Sequence, residues 1–367
     1  MSDTVRFGAI MAGGTGERFW PLSRQSRPKQ LLHLTDPDRS MLERGVDLLR
    51  PLIPPERIYV VTGKGLVKAI RKASLGIPET NIIGEPHKRN TSGAIAYITA
   101  HILAEYPNLT PEQVTLAVTA ADHKIGDDDS FRSVLSAAMD AAESRDALVV
   151  CGVVPDRPAT GFGYIQAIGA VVGQDAPCEV RAFHEKPSLE RAQDFLESSE
   201  YFWNSGMFFW KVSTFMSELD RVRPELAQAI REMTKALRNR HSEQANTLFG
   251  NLEDISIDYA LMEHARNVLM IPGSFPWDDV GSWPALETVL PRDGWSNATF
   301  GEPVLVNCEG CIVYNEPGAD KVAVGVVGAR DLVIAVTGDA VLVIPKERAQ
   351  DVRHLVNELK RRNSKRI

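Results

Sequence analysis

The chain has 367 residues, 44% hydrophobic and 24% charged, which suits an ordinary globular protein of one large domain and a small one. Forty-one Lys and Arg against 48 Asp and Glu leave a formal net charge of −7, so the protein as a whole has no electrostatic attraction to nucleic acid or to an anionic membrane, and any anionic ligand must be held by a local cluster. The N-terminal apolar run is too short for a signal peptide, no later stretch approaches the ~18 apolar residues of a membrane span, and four cysteines are too few for a disulfide scaffold, so a reduced, cytoplasmic protein is expected.

In chain order, Val5–Met11, Arg57–Thr62, Asn81–Gly84, Val114–Thr119 and Ala147–Val153 read as buried strands. Between them Leu66–Ala73, Thr91–Glu105 and Phe131–Glu143 carry helical spacing. Such alternation predicts an α/β fold, a Rossmann-like, mixed but mostly parallel sheet flanked by helices. Ligands of such sheets bind beyond the carboxyl ends of the strands, which directs attention to the loops after Met11 and Thr119. From Phe162 to about Glu287 the pattern is mixed: strands at Gly163–Ala167, Glu179–His184 and Met207–Trp210, helices near Leu189–Glu197, Glu225–Arg238 and Asp258–His264. This half is expected to supply a second substrate's pocket.

After Pro291 short Val/Ile runs recur with glycine turns: Pro303–Val306, Cys311–Tyr314, Lys321–Val327, Leu332–Thr337 and Ala340–Ile344. They predict a compact β-rich appendage closed by an amphipathic helix over about Lys346–Lys360. The expected division is therefore 1–290 and 291–367. Cys308-Glu-Gly-Cys311 is a lone CxxC with no second ligand pair, and it reads as a hairpin turn rather than a zinc site. The basic run Lys360-Arg361-Arg362 reads as a solvated helix end that complements the helix dipole.

The segment richest in chemistry is Ala12-Gly13-Gly14-Thr15-Gly16-Glu17-Arg18, followed by Pro28-Lys29-Gln30, directly behind the first strand. Glycines let backbone N–H groups approach phosphate oxygens, and Arg18 and Lys29 add positive charge. Phe19 stands where a dinucleotide fingerprint needs its third glycine, and no Gly-Lys-Ser/Thr completes a Walker loop, so the choice is between an unusual phosphate cradle and a bare glycine turn.

Gly-Gly-x-Gly-x-Arg followed by Pro-Leu-Ser-Arg and Pro-Lys-Gln resembles the signature of the sugar nucleotidyltransferases, the mannose-1-phosphate guanylyltransferases in particular. The resemblance continues in order through Glu85-Pro-His-Lys-Arg-Asn-Thr91, Asp122-His123, Thr160-Gly-Phe-Gly-Tyr-Ile165, Glu185-Lys-Pro187, Asn204-Ser-Gly-Met207, Ser256-Ile-Asp-Tyr259 and Trp277-Asp-Asp-Val-Gly-Ser-Trp283. The appendage resembles the short left-handed β-helical tail of that family, and the chain is too short for the isomerase domain fused to bifunctional relatives. Ser92-Gly93 and Ala120-Ala121 depart from the Ala-Pro and Pro-Ala that often stand there.

The resemblance implies transfer of a nucleotidyl group from GTP to mannose 1-phosphate with Mg²⁺ as cofactor, and no nucleic-acid or membrane partner. It assigns Arg18, Lys29, Asp122 and Asp279 to catalysis, with Asp122 and Asp279 holding the metal. The nucleotide falls to Ala12, Gly13, Gly14, Thr15, Gly16, Glu85, Asn90 and Thr91. The sugar phosphate falls to Gly163, Glu185, Lys186 and Asn204. Taken alone, Asp122 and Asp279 could equally be turn or cap residues, and His123 reads as structural. Other sugar 1-phosphates, UTP in place of GTP, or a non-catalytic regulatory subunit of the same fold are the competing readings, and the β-rich tail suggests a homodimer.

Overall fold

The computed structural model describes residues 4–14, 16–318 and 320–367, which fall into two compact bodies. The first comprises 4–13, 45–121 and 125–277, and the second comprises the described residues of 14–44, 122–124 and 278–367. The strands are β1 (Val5–Met11), β2 (Ile58–Gly63), β3 (Ile82–Glu85), β4 (Val114–Ala120), β5 (Lys124–Ile125), β6 (Leu148–Val153), β7 (Tyr164–Ile168), β8 (Cys178–His184), β9 (Tyr201–Lys211), β10 (Val268–Gly273) and β11 (Trp277–Asp278). The two-residue strands β5 and β11 lie where the chain passes from one body to the other.

The first body is built on a nine-stranded sheet in the order β3-β2-β1-β4-β9-β6-β10-β8-β7. β1 pairs in parallel with β2 and β4, β2 with β3, and β6 with β10. β9 is antiparallel to β4, β6 and β7, and β8 to β10 and β7, so seven of the nine strands share one direction and the sheet is mixed but mostly parallel, as expected. β1, β2, β4 and β6 are predominantly apolar runs whose central residues are buried, the pattern of strands covered on both faces.

The helices of this body include α2 (Val67–Lys72), α3 (Asn90–Glu105), α4 (Asp128–Arg145), α5 (Leu189–Glu197), α6 (Val212–Val222), α7 (Pro224–Arg238), α8 (Ser242–Gly250) and α9 (Ile257–Ala260); α1 (Met41–Leu49) spans the division of the chain. α3 is apolar nearly all round and packs on α7, while α4 packs on β6 and β10. Asp127 caps α4 by accepting from the Asp129 and Ser130 amides at 3.1 Å. Among the described residues no helix is long and apolar enough to cross a membrane.

The second body carries β12 (Ala298–Phe300), β13 (Val304–Val306), β14 (Ile312–Asn315), β15 (Gly325–Val327), β16 (Leu332–Val336), β17 (Val341–Pro345) and α10 (Val352–Arg361). β12, β14 and β16 are parallel neighbours, β13 pairs in parallel with β15, and β17 turns back antiparallel on β16. This is a parallel coil, and it corrects the reading of Cys308–Cys311 as a hairpin: the strands on either side of that turn, β13 and β14, belong to different sheets and do not pair. Gly310 and Asn307 take positive φ at this corner, the same residue types that a hairpin would use. Both thiols are buried, and the Cys308 thiol donates to the Val326 carbonyl at 3.3 Å, on the neighbouring coil. Asn297, 2% exposed, stitches the corner by bonding the Cys308 carbonyl and the Cys311 amide.

The core of the second body joins distant parts of the sequence. Phe19, Trp20, Leu22, Leu32, Val280 and Trp283 pack with Val333, Leu342, Val352 and Val356. The Trp20 indole donates to the Arg366 carbonyl at 2.7 Å, and Lys360 pairs with Glu17 at 2.5 Å. The basic run is thus partly engaged, since Arg361 and Arg362 both pair with Glu358.

Candidate active site

In the second body the glycine loop is fixed by its own side chains. Gly16 adopts φ +67°, and a Cβ there would lie 2.3 Å from the Lys29 Cβ and 3.2 Å from its Cα, so no side chain fits. The Ser23 hydroxyl donates to the Gly16 carbonyl at 2.6 Å, and the Gln30 amide donates to the Gly14 carbonyl at 2.7 Å. Thr15 lies outside the described residues. Alanine at position 16 is expected to lower unfolding free energy by about 2 kcal/mol or more, from strain at a left-handed position plus the clash, and to reduce turnover with it. A thermal melt and a rate matching those of the unmodified protein would remove this account of the loop.

Lys29, 5% exposed, is the hub of the cluster. Its Nζ donates to Asp122 Oδ2 and to the Asp279 carbonyl, both at 2.8 Å. Arg18 donates to the Gly281 carbonyl at 3.1 Å, and its buried Nε has no partner among the described residues, nor has the Gln30 Oε1. A buried, unsatisfied guanidinium N–H beside a glycine loop is suited to an incoming anionic oxygen. Burial, with Arg353 nearby, holds the Arg18 guanidinium below its ordinary value against the pull of Asp279.

The two carboxylates respond oppositely to the same surroundings. Burial would push Asp122 up, but Lys29 and then His123 outweigh it and hold the carboxyl below its usual range. Asp279 is pushed up, chiefly by burial and further by Asp278 and Asp122, against His123 and Lys29. His123 is held low by burial, against the pull of the acids that surround it. Asp279 sits in an unusual backbone: Val280, fully buried and β-branched, has φ +45°, and its amide donates to Asp278 Oδ1 at 2.7 Å. A Cβ on Gly281 would lie 2.9 Å from Asp279 Oδ2, so the glycine clears the space that the carboxylate fills.

This donor set fits a hard divalent cation. Asp122 and Asp279 offer oxygen ligands, and Asp279 carries the cost of burial with added repulsion from Asp278 and Asp122, which a bound divalent cation would offset; Mg²⁺ is commonly held by one or two carboxylates with substrate phosphates and water filling the rest. Among the described residues no group of three or more His, Cys, Asp and Glu is placed to hold a metal ion.

The first body holds the other assigned residues in two places. Ala12 continues β1 with its amide bonded to the Val61 carbonyl at 2.7 Å and its carbonyl accepting from Thr62 at 2.8 Å. A Cβ at Gly13 would lie 3.6 Å from Glu85 Oε2, so the glycine faces the acid that ends β3. Burial pushes Glu85 up to about 7. An unfolded glutamate ionises near 4.5, so the fold holds this proton more tightly, and stability falls as pH rises from about 4.5 to about 7 by up to ~3 kcal/mol. Glu85→Gln is expected to remove that slope, gaining stability over the native protein at pH 8 but not at pH 4; equal urea midpoint differences at both pH values would contradict it. Asn90 and Thr91 open α3, where the Thr91 hydroxyl is committed to the Ile257 amide at 2.8 Å. The departure at Ser92 is also accounted for, because its hydroxyl donates to the Ile255 carbonyl at 2.7 Å.

At the second place Gly163, Glu185, Lys186 and Asn204 come together. A Cβ on Gly163 would lie 2.7 Å from Glu185 Oε2 and 3.4 Å from the Asn204 Cβ. The backbone N–H of Asn204 donates to the Gly163 carbonyl at 2.8 Å, and Lys186 pairs with Glu185. Phe162 packs edge-on to Trp203 at 5.0 Å, fixing the chain on both sides of the contact. Sequence reasoning passed over Asp258, whose Oδ1 accepts from the Asn204 side chain at 2.8 Å, and Asp278; the motifs containing both were noted, but a side-chain partner 54 residues away leaves no local signal.

A glycine loop with a buried lysine, in a chain built on a mostly parallel sheet, defines a nucleotide-handling transferase, and known proteins narrow it. The family model described as Nucleotidyl transferase matches residues 7–293, and one described as MannoseP isomerase/GMP-like beta-helix domain matches 301–359. The chain is 36% identical over 360 residues to a mannose-1-phosphate guanylyltransferase of Salmonella muenchen and 37% identical over 356 residues to one of Escherichia coli, covering 96% of this chain and 73% of each relative. A crystal structure described as a mannose-1-phosphate geranyltransferase from Thermus thermophilus superposes with a TM-score of 0.84 at 36% identity, over 98% of this chain and 100% of that one. The chain belongs to the nucleotidyl transferase family, within the group of its mannose-1-phosphate guanylyltransferase relatives.

Proposed function

We propose that the chain is a mannose-1-phosphate guanylyltransferase that converts GTP and mannose 1-phosphate into GDP-mannose and pyrophosphate, with Mg²⁺ held by Asp122 and Asp279. The observation that carries the reading is the buried Lys29 bonded at once to the Asp122 carboxylate and the Asp279 backbone beside the glycine loop.

The chemistry needs cations more than a base. A sugar phosphate has its second ionisation near ~6 and is already a nucleophile at neutral pH. The difficulty is repulsion between that anion and the triphosphate whose α-phosphorus it attacks in line as pyrophosphate departs. Two unit charges ~4 Å apart interact by about 4 kcal/mol at an effective dielectric near 20, so neutralising several charges is worth many powers of ten in rate. Lys29 and Arg18 supply fixed positive charge, and burial preserves its strength while Asp122 and the Asp279 backbone hold Lys29 in place. The glycine loop holds the phosphates in register. When bound, the divalent cation adds charge neutralisation at the reacting phosphates. Ala12, Glu85, Asn90 and Thr91 are assigned to the base, where backbone groups and an acceptor distinguish guanine N1–H and N2–H₂ from the edges of other bases.

The test is a pyrophosphate-release panel of four nucleoside triphosphates against several sugar 1-phosphates, with and without Mg²⁺. Release confined to GTP with mannose 1-phosphate, and dependent on the metal, is expected. Preference for another pair redirects the substrate assignment, and no release with any pair rejects catalysis.

A further inference from the structure

The pocket around Gly163 contains one more acid than the assigned set. Asp258 lies in the first turn of α9, whose start is fixed by Ser256 accepting from the Tyr259 amide at 3.4 Å. Its Oδ1 accepts from Asn204 Nδ2 at 2.8 Å, while Asn204 Oδ1 accepts from the Gly206 amide at 3.0 Å. The Asn204 side chain is therefore oriented from both ends, with one N–H and one lone pair left for a ligand. Glu185 faces the same space from the end of β8, since its Oε2 would be struck by a Cβ on Gly163 and it repels the Asp258 carboxylate. A side chain at position 163 would collide with Glu185, so the glycine lets two carboxylates, the Lys186 ammonium and one oriented amide stand close together.

We infer that Asp258 is a specificity-determining residue for the sugar: it sets the orientation of Asn204 and, with Glu185, makes the pocket an acceptor for hydroxyl groups that rejects a ring bearing a second anion. The inference rests on reading this pocket as the sugar-phosphate site. Hydroxyl groups donate to carboxylates and lose those bonds when the acceptor is removed, whereas a carboxylate on the sugar meets two like charges and finds the Lys186 ammonium already paired with Glu185. The selected class is a neutral polyhydroxylated sugar 1-phosphate, and the disfavoured class is a hexuronic acid 1-phosphate.

Asp258→Ala and Asp258→Asn are to be assayed with mannose 1-phosphate and with a hexuronic acid 1-phosphate at saturating GTP, and with GTP varied, alongside thermal melts. Asp258→Ala is expected to raise the KM for mannose 1-phosphate at least about tenfold with the KM for GTP within about twofold. Asp258→Asn, isosteric and still able to accept from Asn204, is expected to keep the fold and to shift the ratio of kcat/KM values toward the uronic acid by about tenfold. Unchanged sugar KM in the alanine variant, or an unchanged ratio in the asparagine variant, overturns the inference while native turnover leaves the proposed function standing. If the alanine variant fails to fold, the ratio in the asparagine variant decides alone. Absence of turnover in the native protein removes the proposed function, and this inference with it.

Discussion

Lys29→Ala is expected to reduce pyrophosphate release from GTP and mannose 1-phosphate by about a thousandfold, roughly 4 kcal/mol of barrier, and to lower the melting temperature as well. The two losses have separate causes. The ammonium is the best buried cation in the cluster, and removing it withdraws charge from the phosphates. It also abandons Asp122, whose carboxylate the lysine holds ionised at 2.8 Å, and strips the Asp279 carbonyl of its donor. Asp122 is about one-third exposed, so water recovers part of that second loss and the cost in stability stays well below the 3 to 5 kcal/mol typical of breaking a fully buried pair. Steady-state rates with denaturation curves on the same preparations check both; a variant with native kcat and KM would end the case for charge neutralisation by this lysine.

Asp279→Asn should fall at least as far in rate yet move stability the other way. Its carboxylate is pushed above the ordinary range by burial and by repulsion from Asp278 and Asp122, so making it neutral and isosteric relieves a cost that the native protein carries. The gain is expected without added metal, whereas Mg²⁺ with nucleotide should stabilise the native protein far more than the variant, because a ligand of the folded state stabilises in proportion to its affinity. Gain in melting temperature with loss of catalysis is the signature of a site whose acids are kept together for function. If the asparagine variant is both active and equally stabilised by Mg²⁺ and GTP, Asp279 is a turn residue and no more.

These predictions draw on contacts that the sequence only partly disclosed. The strands of the first half were legible because each is a short apolar run between turn residues, and β1 ends where it was expected. β10 was not read, because Pro272 and Gly273 punctuate Val268–Gly273 like a loop; the sheet accommodates them in parallel register with Gly152 and Val153. β9 was read only over Met207–Trp210, since Asn204-Ser205-Gly206 has the composition of a turn, yet the strand runs from Tyr201 to Lys211 through Gly206 at φ +67°. α1, α6 and α8 went unread, α6 because it follows β9 without a punctuating residue. In the site, the glycines and charged residues were legible through resemblance. Their partners were not: the Lys29–Asp122 bond joins residues 93 apart, and nothing about Val280 announces a left-handed backbone, since valine is among the residues least suited to it.

The bonds from Glu17 to Lys360 and from Trp20 to Arg366 close loops of 343 and 346 residues beside the segment that presents Arg18. During synthesis the first body has its sheet complete once residue 273 has emerged, whereas the exit of the glycine loop waits for nearly a hundred residues more before its packing partners exist. On the role proposed for Arg18, catalytic competence is thereby a late acquisition of each new chain, and a chain interrupted in the appendage would hold an ordered sheet with an unsupported arginine.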